Sequence, residues 1–214
     1  MTLTEQLAEA NKANREKIPN DVLKVMDKAI TDLKAVHLAE KTLKIGDVFP
    51  DVTLPNAKTN SKRIYDLKGD KATIISFYRG GWCPYCNIQL KALQNNLSEF
   101  NKLGASLITI TPETPDNSLT TSEKNELSFE VLSDINNSFA KKLGLVFKLP
   151  EDLQAIYSNF GLDIKKHNQN EDYELPLAAT FILDTNNTVI YTFVNEDYTK
   201  RADINEILST LKSI

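Results

Sequence analysis

The chain has 214 residues, of which 41% are hydrophobic and 25% are charged, so it is long enough for one sizeable core. This composition excludes collagen-like, low-complexity and disordered classes of protein. Lys and Arg total 25 against 29 Asp and Glu, a net charge of −4, which argues against nucleic acid as a partner because a phosphate backbone calls for a basic surface.

The first residues and the cysteine content indicate the cellular compartment in which the protein is expected. The opening residues run into alternating charge without an apolar signal segment, and no stretch of about 18 apolar residues suggests a membrane partner. The two cysteines, Cys83 and Cys86, lie in a single Cys-Pro-Tyr-Cys, so no framework of structural disulfides can form. We therefore expect a soluble protein of the cytoplasm.

Residues 1–44 are predicted to form a helical extension of two helices. Thr2 and Glu5 have the spacing of a capping box, and a second helix is expected to begin near Asp21. Its apolar residues recur at steps of three and four, which makes one stripe along the helix: Val22, Val25, Met26, Ala29, Ile30 and Leu33. We expect this stripe to pack on the main domain or on a second copy of the chain in a homodimer, and we expect no chemistry from it.

Residues 45–214 alternate short β-rich runs with helices and are predicted to form one domain. Residues 51–54 and 63–67 flank a polar loop, which suggests a hairpin. Further strands are predicted at 72–78, 105–110, 129–132, 178–183 and 188–194, and helices at 84–100, 115–127, 136–143, 151–159 and 203–211. The run from His167 to Asp172 is predicted to be a loop. This order predicts an α/β layered domain with a mixed sheet.

The segment from Phe77 to Asn87 is the most informative part of the sequence. It places the CxxC where a buried strand gives way to a helix, with Pro84 at the first helical position. Unpaired backbone N–H groups and the positive end of the helix dipole favour a thiolate there. A thiol of ordinary pKa is only roughly 3% ionised at pH 7, so this placement suits a nucleophile.

A structural zinc site is the first alternative to redox chemistry for such a cysteine pair. A structural zinc site requires four ligands, and besides the pair this chain offers only His37 and His167, both remote in sequence. We therefore expect no metal and no cofactor, and redox chemistry of the two thiols remains the main hypothesis.

From Gly46 to Ile214 the sequence resembles the peroxiredoxins of the AhpC/TSA family, most closely a branch that carries Arg79-Gly-Gly-Trp-Cys-Pro-Tyr-Cys86. The segments that support the resemblance stand in the expected order. They are residues 46–55, 74–78, 131–134, 175–184 and 197–202. The resemblance implies a thioredoxin-like three-layer fold and a thiol-dependent peroxidase that reduces hydrogen peroxide or alkyl hydroperoxides. It also implies a thioredoxin or a similar dithiol as reductant.

The resemblance leaves the attacking cysteine open. The peroxiredoxin pattern Pro-x-x-x-Thr-x-x-Cys, laid without gaps on this chain, falls on Arg79, Cys83 and Cys86, which makes Cys86 the peroxidatic candidate. In thioredoxins the first cysteine of the motif attacks, which would be Cys83, and the protein would then be a thiol-disulfide oxidoreductase acting on disulfides. We favour Cys86. Trp82, Pro84 and Tyr85 are predicted to contact the substrate, with Trp82 offering an apolar surface to a reductant.

Three family positions are occupied by unexpected residues, and the first is the family's Pro, which is replaced by Arg79. Cys83 takes the place of the family's Thr and removes a hydroxyl that would orient a bound peroxide. Ala178 stands where peroxiredoxins place an Arg and thioredoxin-like relatives a cis-proline, and Pro176 is predicted to be an ordinary proline at a strand entry. The arginines that could replace the missing guanidinium include Arg79, which is nearest in sequence and is our candidate, and Arg201, which we rank second.

Overall fold

The computed structural model describes all 214 residues. The helices are α1 (Leu3–Arg15), α2 (Asn20–Ala35), α3 (Pro84–Lys102), α4 (Pro115–Lys124), α5 (Ser138–Lys142), α6 (Glu151–Asn159), α7 (Ile164–Asn168) and α8 (Ile204–Lys212). The strands are β1 (Thr53–Pro55), β2 (Ser61–Arg63), β3 (Ala72–Phe77), β4 (Ala105–Thr111), β5 (Glu130–Ser133), β6 (Val146–Lys148), β7 (Glu174–Pro176), β8 (Ala178–Leu183) and β9 (Val189–Asn195). No helix is both long enough and apolar enough to cross a bilayer.

The central sheet is mixed, as the sequence predicts. Its five strands follow the order β5-β4-β3-β8-β9, with β3 parallel to β4 and antiparallel to β8. All six residues of β3 are buried, which fits a β-branched run that packs on both faces. The segment that carries the two cysteines therefore leaves the centre of the sheet.

Helices cover both faces of this sheet. On one face α3 packs with α1 and α8 over Ile74 and Ile182. On the other face an aromatic cluster forms around α5, in which the ring centroids of Phe49 lie 5.8 Å from Phe139 and 5.6 Å from Phe181. Edge-to-face geometry of this kind adds stability beyond burial alone.

The N-terminal helices pack on the rest of the same chain. Thr2 caps α1 through the predicted capping box, and α1 buries Leu3 and Leu7 in the core beside α3. Helix α2 packs against α6. Its apolar stripe is half-buried, and of that stripe only Ala29 is fully buried.

Several local predictions need correction. The second arm of the predicted hairpin is β2 followed by a turn of 3₁₀ helix at Ile64–Leu67, because the Asp51 carboxylate accepts the Tyr65 N–H and ends the strand. The predicted loop around His167 begins inside helix α7, whose first turn Asp163 caps by accepting the Lys166 N–H. The small β6–β7 pair was not predicted.

Candidate active site

Two glycines make the turn between β3 and α3. Gly80 has φ +149°, and a Cβ there would lie 2.2 Å from the Trp82 indole nitrogen. A Cβ at Gly81 would lie 1.9 Å from Thr121 Oγ1. The Gly81 N–H donates to Glu113 at 2.8 Å, and its carbonyl accepts from Asn87 Nδ2 at 2.7 Å. The loop is therefore held at both backbone groups of Gly81 and has no room for side chains at its glycines.

Cys86 is completely buried in the first turn of α3. Burial by itself disfavours the charged form of its thiol. A hydrogen bond from Cys83 outweighs this, together with the positive charges of Arg201 and Arg79 and the Arg79 backbone N–H. The balance lowers the pKa of Cys86 to about 5, so Cys86 is a thiolate at neutral pH.

Arg201 is the guanidinium that touches this sulfur. Its Nη2 donates to Cys86 Sγ at 3.1 Å, while Nε donates to Gln89 Oε1 at 2.6 Å. Nη1 donates to the carbonyls of Tyr198 and Lys200, so all three nitrogens have partners. Gln89 in turn donates to Ser76 of β3 at 3.0 Å. This network fixes a cation at the sulfur before any substrate arrives.

The structure thus reverses our ranking of the two arginines for contact with sulfur. Arg79 is buried, and its Nη2 donates to the Tyr157 hydroxyl at 2.7 Å. Its guanidinium carbon lies 4.7 Å from the ring centroid of Tyr198 and 5.1 Å from that of Trp82. Arg79 acts on the thiols through charge and its backbone N–H. Arg201 comes from the loop between β9 and α8, far from the cysteines in sequence.

Cys83 has the opposite electrostatic setting although it occupies the N-cap position of the same helix. Burial and the hydrogen bond to the Cys86 sulfur, which favours the protonated thiol, raise the pKa of Cys83 well above its ordinary value. The nearby charges of Arg79 and Arg201 act in the other direction and are outweighed. Cys83 is therefore a thiol when Cys86 is a thiolate.

A pocket of about 400 Å³ opens in front of Cys83. Trp82, Pro84 and Tyr85 all line it, so the three residues predicted to contact substrate share one wall with Cys83. The Tyr85 hydroxyl donates to Asn11 Oδ1 of α1 at 3.1 Å, which joins this wall to the N-terminal extension. Cys86 does not line the pocket.

Sequence reasoning missed several polar residues of the site. Gln89 lies three residues after Cys86, on the same face of α3, and that spacing was a usable signal. Glu113 accepts from the Gly81 N–H and lies 3.0 Å from His167 Nδ1, and Tyr157 holds Arg79. For these two residues no motif in the sequence points to the site, since contact depends on the fold alone.

Known proteins resemble this chain in sequence and in fold. A putative peroxiredoxin bcp from Buchnera aphidicola is 35% identical over 104 residues, 49% of this chain and 65% of that protein. The match thus spans just under two thirds of this relative's length. Peroxidoxin BcpB from Mycobacterium tuberculosis superposes with a TM-score of 0.63 at 20% identity, covering 80% of this chain and 98% of that one.

A third relative is the bacterioferritin comigratory protein of Xanthomonas campestris, whose structures concern its alkyl peroxide reduction activity. It superposes with a TM-score of 0.56 at 14% identity and covers 76% of this chain and 90% of that chain. These likenesses confirm the thioredoxin-like fold of the peroxiredoxins. The model of the AhpC/TSA family matches residues 45–192, well over half of the sequence. This chain belongs to the AhpC/TSA family.

Proposed function

We propose that the protein is a thiol-dependent peroxidase in which Cys86 attacks the peroxide. The observation that supports this best is the Arg201 guanidinium 3.1 Å from the buried Cys86 sulfur. A buried thiolate keeps its charge only beside such partners, and a thiolate is the form that reacts with peroxides. Family membership supports the same chemistry, as does the alkyl peroxide reduction ascribed to the Xanthomonas campestris protein.

The reaction uses both cysteines in turn. The Cys86 thiolate attacks the terminal oxygen of hydrogen peroxide or an alkyl hydroperoxide, the O–O bond breaks, and water or an alcohol leaves after taking a proton. Arg201 faces the negative charge that moves from sulfur to the leaving oxygen. Oxidation of Cys86 removes the thiolate that raises the pKa of Cys83, so Cys83 can lose its proton. The Cys83 thiolate then attacks the Cys86 sulfur, the S–O bond of the sulfenic acid breaks, and the hydroxide takes up a proton and leaves as water, which forms an intramolecular disulfide.

A thiol donor reduces this disulfide and closes the cycle. The resemblance predicts that the reductant is a dithiol of the thioredoxin type. The pocket in front of Cys83 limits which reductants can reach the disulfide. We propose that residues 45–214 are the catalytic domain and that residues 1–44 are an extension which walls the pocket. A cytoplasmic location and a homodimer also remain predictions from the sequence.

The alternative function is a thiol-disulfide oxidoreductase in which Cys83 attacks. One observation favours it, because Cys83 lines the pocket and Cys86 does not. Against it, the pKa of Cys83 is raised, and a protonated thiol is a poor nucleophile. We therefore assign the attack to Cys86 and the resolving step to Cys83.

Single cysteine variants test this assignment. Cys86→Ser should abolish peroxide consumption, a loss on the order of 10³-fold or more, because no thiolate remains to attack. Cys83→Ser should keep the first step and leave a sulfenic acid that can be trapped with dimedone but recycles poorly. Stopped-flow oxidation, beside an insulin-disulfide reduction assay, measures both activities.

The contrary result is equally specific. If Cys83→Ser alone eliminates both fast thiolate oxidation and disulfide exchange while Cys86→Ser keeps the first step, the oxidoreductase function replaces the peroxidase. Titration with one equivalent of peroxide supplies a further check. Free thiol should disappear without covalent dimers on non-reducing gels, because the only two cysteines lie in one motif.

A further inference from the structure

The N-terminal extension forms one side of the pocket in front of Cys83. Seven of its lining residues come from α1, α2 and the turn between them: Asn11, Asn14, Arg15, Lys17, Ile18, Leu23 and Met26. Trp82, Tyr85 and Tyr157 form the facing apolar side. A volume of about 400 Å³ falls in the range of small-molecule sites.

The lining is positively charged in a chain that is acidic as a whole. Arg15, Lys17 and Arg79 line the pocket, and no Asp or Glu does, whereas the chain has a net charge of −4. Arg15 pairs with Asp27 at 2.8 Å, but Lys17 is exposed and forms no ion pair. The pocket therefore offers positive charge to an incoming anion.

We propose that this pocket binds a low-molecular-weight thiol carrying carboxylate groups, which reduces the Cys83–Cys86 disulfide by attacking Cys83. The proposal rests on the proposed function, since it names the class of reductant for that site. It also gives the extension a role in choosing the reductant.

The chemistry balances with two molecules of the thiol. The thiolate of the first attacks Cys83 Sγ, a new S–S bond forms, and the Cys83–Cys86 bond breaks with its electron pair on Cys86. A second thiolate attacks the donor's own sulfur in this mixed disulfide, and Cys83 leaves and takes up a proton. The products are the oxidised donor disulfide and the enzyme with Cys83 as thiol and Cys86 as thiolate.

Access and leaving-group chemistry both select Cys83 as the sulfur attacked. Cys83 lines the pocket, whereas Cys86 is completely buried behind it. When Cys83 is attacked, the group that leaves is Cys86, whose pKa is about 5. A thiolate of low pKa leaves faster, and Arg201 stabilises it as it leaves.

The burial of Cys83 and the volume of the pocket favour a small thiol over a protein dithiol. Cys83 is only 2% exposed, and the pocket in front of it is lined in part by α1, which is anchored in the core by Leu3 and Leu7. A protein donor would have to bring its own cysteine into a pocket of about 400 Å³. A small thiol enters this space without displacing the extension.

The test uses the full chain with its disulfide formed by diamide, so that the reduction step is measured independently of peroxide. Reduction is followed with glutathione, which has two carboxylates, with neutral 2-mercaptoethanol and with thioredoxin, each rate being divided by thiolate concentration. We expect glutathione to outpace 2-mercaptoethanol by about fivefold, the size of a weakly screened interaction with one or two charges. Glutathione should also outpace thioredoxin.

Charge reversal at the pocket supplies the decisive variant. Lys17→Glu should lower the rate with glutathione more than the rate with neutral 2-mercaptoethanol, so that the ratio of the two rates falls to about one or below. Lys24→Glu is the matched control, because Lys24 is an exposed lysine of α2 that does not line the pocket. Alkylation quenching and tandem mass spectrometry should find glutathione on Cys83.

Three results would overturn the proposal. They are reduction by thioredoxin as fast as by glutathione, equal effects of Lys17→Glu and Lys24→Glu, and a mixed disulfide located on Cys86. Failure of the proposed function has a different signature, since the reduced protein would then not consume peroxide while the diamide-formed disulfide would still show the thiol preference.

Discussion

The region around Cys86 and the region around Cys83 differ in polarity, in hydrogen bonding and in access to the pocket, although only two residues separate the cysteines. The first is closed, polar and cationic, with Arg201, Gln89 and Ser76 in one hydrogen-bonded chain. The second faces a pocket whose walls are largely aromatic and aliphatic. Both thiols stand at the start of α3, so the helix terminus alone does not distinguish them.

The difference shows that the surroundings of each sulfur set its pKa. The helix dipole and the free N–H groups act on both thiols, yet the pKa of Cys86 is lowered and that of Cys83 is raised. Both arginines lower the pKa of either thiol, but only Cys86 accepts the hydrogen bonds of Arg201 Nη2, the Arg79 backbone N–H and Cys83. The difference in ionisation between the two sulfurs follows from that asymmetry.

The largest expected effect on the inner region comes from Arg201→Met. Removing the guanidinium leaves the Cys86 thiolate without its direct charged donor, so peroxide oxidation should slow on the order of 10²-fold. Stopped-flow kinetics measure the rate, and ultraviolet titration of the thiolate should show a raised pKa. Arg63→Met is the matched control, because Arg63 is half-exposed and pairs with Asp51. Equal rates in the two variants would refute the role of Arg201.

The pH dependence of peroxide oxidation tests whether the pKa of Cys86 is lowered. With a pKa of about 5, Cys86 is almost fully ionised at pH 7, so the rate should be flat above about pH 6 and fall as the pH drops through 5. At pH 4 the loss should be about tenfold. A midpoint near pH 8.5 instead would show that the thiol is not activated. In Arg201→Met the midpoint should move to higher pH.

Arg79→Met should have a smaller effect on oxidation than Arg201→Met. Arg79 does not donate to the sulfur from its guanidinium, which is held by Tyr157 and faces three aromatic rings. We expect a loss of a few-fold, in line with a charge that acts over a longer distance. Kinetics of both variants under identical conditions decide the ranking. A larger loss at Arg79 would restore the order predicted from the sequence.

The smallest effect on the rate of peroxide oxidation is expected from a substitution in helix α1. Leu7 is a residue of α1 that is buried in the core. Leu7→Ala should therefore lower the free energy of unfolding by about 2–4 kcal/mol. Urea denaturation measures this, and Val36→Ala, at an exposed position, is the control. The rate of peroxide oxidation should change less than twofold. An unchanged stability would show that α1 does not contribute to the core.

Local sequence patterns are sufficient to predict much of the fold. The buried run of β3, the glycines after it and Pro84 predict the strand, the turn and the helix start, and the structure has each of them. The order of elements likewise predicts the mixed sheet. Errors arose where side chains decide the backbone locally, as when Asp51 ends β2 and Asp163 starts α7.

The sequence by itself thus determined the α/β class, the thioredoxin-like family and the cysteine pair at a helix start, because adjacent residues encode these features. Only the tertiary structure decided which cation meets which sulfur and what lies in front of each thiol. Arg201 is 115 residues from Cys86, and Asn11 is 74 residues from Tyr85. Contacts across such separations depend on how whole helices and strands pack, and no local periodicity records them.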